Sequence, residues 1–155
     1  MRKLIIVPVL LLIIFGVVQF IRPPKNQSAD HLATAITERY PVPADVQALL
    51  QNACYDCHSN NTRYPWYTNI QPIGWWMAHH ISKGKKEFNF DEYGTYSAKR
   101  QRNKLKRMKE QIITGKMPLR SYTLMHADAR LNADQQRLLT QWIDSVLAIS
   151  GHETR

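Results

Sequence analysis

Both cysteines of this chain fall in one five-residue stretch, Cys54-Tyr55-Asp56-Cys57-His58. Two thiols three residues apart on a helical turn lie on the same side of it, and an imidazole follows the second. That order is the Cys-x-x-Cys-His pattern of c-type haem attachment. Each thiol adds to a vinyl group of the porphyrin as a thioether, and His58 turns beneath the iron as proximal ligand, giving one covalent haem c per chain. Other chemistries that use these residues fit less well. A thioredoxin-like dithiol expects a strand before the motif and a βαβ setting around it, and neither pattern is visible. A zinc site needs two more ligands near Cys54 and Cys57, adjacency constrains His58, and there is no second cysteine pair. Two cysteines also exclude a disulfide-stapled scaffold.

The iron needs a sixth ligand if it is to carry electrons without binding substrate. Met117 lies 59 residues after His58 and is followed by Pro118, which lacks an amide hydrogen and fixes the local backbone. A thioether opposite imidazole stabilises reduced iron and raises the potential. The bland alternative is a loop methionine filling a gap in the core. Met125, His126, His80 and His79 are the rivals for the distal position, and His80 falls on the expected inward face of its helix. Between the motif and the basic run lie Tyr64, Trp66, Tyr67, Trp75, Trp76, Phe88, Phe90, Tyr93 and Tyr96. They read either as ordinary packing or as a wall around a porphyrin with a phenol or indole donating to a propionate. Arg63, Arg120 and the basic run are candidate propionate partners.

Helices must carry these groups. Val46, Leu49, Leu50 and Ala53 recur at helical spacing and predict a helix over 43–53 that delivers the chain to Cys54. A second is expected from Pro72 to a stop at Gly84, with Ile73, Trp76, Met77 and His80 on one face. A third, over 97–114, is expected to be capped by Ser97 and ended by Gly115, with Leu105, Met108 and Ile112 buried. The last begins after Asn132, with Gln135 completing a capping box, and buries Leu138, Leu139, Trp142, Ile143, Val146 and Leu147. A short helix is expected within 29–39. No strand shows an alternating pattern, so the fold class is all-α.

The 155 residues suffice for one domain. Residues 4–21 are uncharged, flanked by Arg2 and Lys3 before and Arg22 and Lys25 after. No small-residue cleavage site follows, so they read as an uncleaved membrane-spanning anchor. The expected layout is an anchor over 1–21, a tether over 22–42 and a haem-binding domain over 43–150. Haem attachment requires export, which places the domain in the periplasm on a single-pass inner-membrane anchor. Lys and Arg number 21 against 12 Asp and Glu, a net charge of +9, and seven of the basic residues crowd into 99–109. That run reads as the wet side of a helix, or a docking patch for an acidic redox partner, and nucleic acid is not expected.

The stretch CYDCHSNNTRYPWYTNIQPIGWWMAHHISKGKKEFNFDEY, with the later GKMPLRSYTLMHADARLNADQQRLLTQWI, resembles the bacterial haem-binding domain family, which sometimes accompanies cytochrome c peroxidase domains. The later segment, a Met-Pro loop followed by a Trp-containing terminal helix, is also similar to class I cytochromes c. The resemblance implies a small cytochrome c-like helical domain around haem held at Cys54 and Cys57, with proximal His58 and distal Met117. The function expected is single-electron transfer. A haem subunit of a cytochrome c peroxidase-like enzyme, or a haem-based sensor, is the alternative, and both need an open iron position.

Overall fold

A computed structural model describes residues 2–28 and 32–152. Among them are eight α-helices, three short 3₁₀ turns and no strand, so the all-α expectation holds. The helices are α1 (Arg2–Val18), α2 (Ile36–Arg39), α3 (Ala44–Ala53), α4 (Tyr55–His58), α5 (Ile73–Glu87), α6 (Ala98–Ile113), α7 (Arg120–Met125) and α8 (Ala133–His152).

The expected membrane anchor is overturned. No helix among the described residues is long and apolar enough to cross a membrane. Helix α1 has 17 residues, which at 1.5 Å each extend about 26 Å against a hydrocarbon core of about 30 Å. It stops at Val18 because the chain tightens there: the Gln19, Phe20 and Ile21 amides donate to carbonyls three residues back. The Gln19 side chain then caps the exit. Its Oε1 accepts from the Gln71 amide at 2.8 Å and its Nε2 donates to the Gln71 carbonyl at 3.2 Å. A polar residue spent on tertiary bonds cannot extend an apolar span. The single-pass inner-membrane placement falls with the anchor.

Within the stretch expected as a tether, residues 22–28 and 32–42 pack against the helices. Asn26 donates to the Ser59 carbonyl and to Thr62 Oγ1, both at 2.9 Å, and Ile36 and Tyr40 are buried. Of the helix expected within 29–39, the four residues Ile36–Arg39 are helical, and residues 29–31 lie outside the described part.

Three of the longer helices of the domain, α3, α6 and α8, follow their apolar periodicity. Helix α3 buries Val46 and Leu50. Helix α6 buries Leu105 and Ile112 against α8, which supplies Leu139, Trp142, Ile143 and Val146. Truncating fully buried Leu105 or Leu139 to alanine costs about 2–5 kcal/mol. The capping box forms as its sequence predicts, with the Gln135 amide on Asn132 Oδ1 and the Asn132 amide on Gln135 Oε1, both 2.9 Å. Ser97 occupies the N-cap of α6 but its side chain makes no capping bond.

Helix α5 departs from expectation at both face and end. Its buried residues are Gly74, Met77 and Ile81, whereas Ile73 and Trp76 are exposed. It also runs through Gly84 to Glu87. Gly84 is a point of approach rather than a stop, since a Cβ there would sit 2.4 Å from the Cys57 carbonyl oxygen. Only glycine lets α5 lie this close to α4.

Candidate functional site

Two hydrophobic clusters meet at the Cys-x-x-Cys-His turn. Cys54 and Tyr55 pack on the larger one, around Leu50, Phe90, Leu105 and Ile143. Cys57 packs on the smaller, around Met77, Ile81 and Tyr122. Helix α3 ends at Cys54 (φ −127°, ψ −46°), and the Cys57 and His58 amides both donate back to its carbonyl, at 3.2 and 3.0 Å. The break re-aims the chain, so that both thiols and the imidazole line common space.

His58 is held from the segment that follows α5. Its Nδ1 lies 2.9 Å from the Phe88 carbonyl, and a carbonyl only accepts, so Nδ1 carries the proton and Nε2 keeps its lone pair. The His58 carbonyl accepts from the Phe90 amide at 2.8 Å. Burial lowers the imidazole pKa, which keeps the ring neutral at pH 7. This backbone-oriented neutral imidazole is what an iron ligand requires. Burial pushes the Cys54 thiol up to about 12, helped by Cys57, and pushes Cys57 up to about 11, helped by Asp56. A catalytic dithiol needs a depressed thiol pKa, so redox exchange is disfavoured here. Among the described residues no three His, Cys, Asp or Glu side chains converge as a metal-ligating group.

Two adjoining cavities, of about 230 and 320 Å³, flank the motif. Ala53, Cys54, His58, Glu87, Met117 and Pro118 line both. The first opens towards Phe88, Phe90, Met108, Ile112 and Leu131; the second adds Cys57, His80, Leu119 and Tyr122. Apolar walls with two thiols and the His58 imidazole fit a haem: a flat apolar macrocycle needs carbon to lie against, and its iron needs the free Nε2.

Met117 reaches this space because of how α6 ends. Gly115 takes φ +65°, and the Lys116 and Met117 amides both donate to the Gln111 carbonyl, at 3.0 and 3.1 Å. That cap turns the chain back under the helix. Of the rivals, His80 alone lines a cavity. Its Nδ1 bonds the Trp76 carbonyl at 2.9 Å and its ring lies 4.1 Å from the Trp76 ring. His126 spends its Nδ1 on the Tyr122 carbonyl and its Nε2 on the Tyr67 hydroxyl. Met125 is 60% exposed, His79 is exposed, and neither lines a cavity.

The aromatic wall is narrower than the sequence suggests. Phe88, Phe90 and, from the Met117 side, Tyr122 line the cavities. Tyr93 is core, while Trp66, Trp75 and Trp76 are exposed. Trp75 Nε1 donates to the Ile21 carbonyl.

Sequence reasoning missed Asp56. It is buried, and it accepts from the Tyr122 hydroxyl at 2.7 Å, the Arg63 amide at 3.0 Å and Arg63 Nε at 3.2 Å. A carboxylate between the two motif cysteines, with an arginine seven residues on, was the signal available. The network ties the Cys-x-x-Cys-His turn to α7 and so to the segment bearing Met117.

The haem-binding domain family matches this chain over residues 13–145. No curated protein and no solved structure matches it. The match begins at residue 13, inside α1. The chain belongs to the haem-binding domain family.

Proposed function

We propose that this haem-binding domain holds its haem covalently, as a c-type cytochrome does, and passes single electrons. The observation that carries the reading is the convergence of Cys54, Cys57, His58 and Met117 on the same pair of cavities. Cys54 and Cys57 would hold the group, each by adding its S–H across one vinyl, an addition that is redox-neutral and releases nothing. His58, through Nε2, and Met117, through its thioether, would be the iron's ligands. The haem, when bound, supplies a one-electron ferric/ferrous couple. The Phe88 carbonyl keeps the proton of His58 on Nδ1, and Phe88, Phe90, Met108 and Ile112 give the first cavity apolar surface for a macrocycle to lie against.

The redox partner in this reading carries an acidic docking surface. Lys99, Arg100, Lys106 and Arg107 are exposed on α6, beside the first cavity, and such a face attracts an acidic protein at salt-dependent rates. A peroxidase-like or gas-sensing role is the second reading. What favours it is His80, which lines the second cavity and could serve proton transfer at an open iron position.

An optical spectrum of the purified holoprotein, oxidised and reduced, separates the two. A Met–iron band in the near infrared without peroxide turnover supports the carrier. High-spin ferric iron at rest supports the alternative.

A further inference from the structure

Helix α6 bears two inward stripes. One, with Gln101, Leu105 and Ile112 buried, packs towards the core and α8. The other consists of Lys104, Arg107, Met108 and Gln111, at i, i+3, i+4 and i+7, and lines the first cavity together with Cys54 and His58. Glu87 is the one carboxylate in that lining. Two cations therefore stand on the rim of a cavity whose remaining walls are mostly carbon.

Neither cation is committed to a strong partner. Arg107 approaches Glu87 at 3.5 Å, with side chains 70% and 67% exposed, a pairing worth little in water. Lys104 Nζ donates to the carbonyls of Lys86 and Glu87 at the end of α5, and lies 5.0 Å from the Tyr96 ring centre. Partial burial, and then the neighbouring Arg100, lower its pKa, so this ammonium is short of compensating negative charge. The other basic candidates are placed differently. Arg63 is engaged by Asp56 and the Gln51 carbonyl, and Arg120 lines neither cavity. Lys83 is exposed and lines the second cavity beside His80.

We propose that Lys104 and Arg107 form the recognition site for the carboxylate side chains of the macrocycle. Protoporphyrin carries its two carboxylates on the edge away from its vinyl groups, and the cavity matches that polarity. Cys54 and His58 stand on the α3–α4 side of it, with Cys57 in the adjoining cavity, and the cations stand on α6. The weak Arg107–Glu87 contact exchanges for a charge-assisted bond to the ligand, and Lys104 gains an anion while keeping its helix-end carbonyls. The inference rests on the haem reading above.

The test titrates the full-length, thiol-reduced chain with ferric protohaem and, separately, with ferric protoporphyrin dimethyl ester, read by Soret absorbance at low salt. Wild type should prefer the free acid by roughly tenfold or more, about 1.4 kcal/mol per factor of ten. In Lys104→Met/Arg107→Met that preference should collapse, while Lys83→Met should retain it. Equal binding of acid and diester by the wild type overturns the carboxylate site alone, as does an undiminished preference in the double variant. Binding of neither compound by the wild type overturns the haem reading, and the carboxylate site with it. The comparison of acid with diester in wild type needs no variant to fold.

Discussion

The Tyr122 hydroxyl donates a 2.7 Å hydrogen bond to Asp56 Oδ2, joining α7 to the middle of the Cys-x-x-Cys turn across 66 residues of chain. Asp56 is 4% exposed and Tyr122 9%, so the bond is sheltered from water. It fixes the two walls of the second cavity against each other: Cys57 on one, Leu119 and Pro118 on the other.

Tyr122→Phe should therefore loosen the site without emptying it. Removing a donor from a buried carboxylate costs about 1–3 kcal/mol. The phenol pKa is pushed up by burial and by Asp56, so the group is a donor at any working pH. The measurement is thermal unfolding of apo and loaded protein. A melting temperature within error of wild type would refute the assigned role.

Cys54→Ala and Cys57→Ala should each weaken retention of haem through denaturing electrophoresis, and the double variant should abolish it. His58→Ala should remove the low-spin spectrum. Haem retained undiminished by the double cysteine variant would end the covalent reading.

Met117→Ala should leave haem attached but change its coordination, to high-spin iron or to a substitute ligand. His80 is the substitute best placed, because it lines the cavity. Loss of the soft sulfur removes a preference for ferrous iron, so the potential should fall. Met125→Ala should leave the spectrum intact, since Met125 is exposed and lines neither cavity. A spectrum that responds to Met125 and not to Met117 reverses the assignment.

Gly84→Ala should be more damaging than a helix glycine-to-alanine change ordinarily is. The intrinsic gain of about 1 kcal/mol in helix propensity is outweighed by a Cβ 2.4 Å from the Cys57 carbonyl, which must push α5 off α4. The Phe88 carbonyl that orients His58 sits just past the end of α5, so the imidazole should be disturbed as well. Denaturant unfolding reads the first effect and the loaded protein's spectrum the second. A stabilised variant with an unchanged spectrum would contradict this packing.

Much of the domain was written locally. The Cys-x-x-Cys-His spacing, the Asn132–Gln135 box and the stripes of α3, α6 and α8 each depend on residues within a few turns of one another, and helical periodicity translates directly into a buried face. What depended on distant partners was not legible. An apolar run over 4–21 looks like a span until Gln19 meets Gln71, 52 residues away, and the helix ends at Val18. A glycine after a helical stretch looks like a stop until another backbone presses on it, and Gly84 is spent on Cys57. Asp56 looks like a filler between two cysteines until α7 folds back and Tyr122 finds it. Short-range spacing determined which atoms could hold a haem. Only tertiary packing decided which side chains face the cavity, because burial and close approach belong to pairs of elements and not to either one alone.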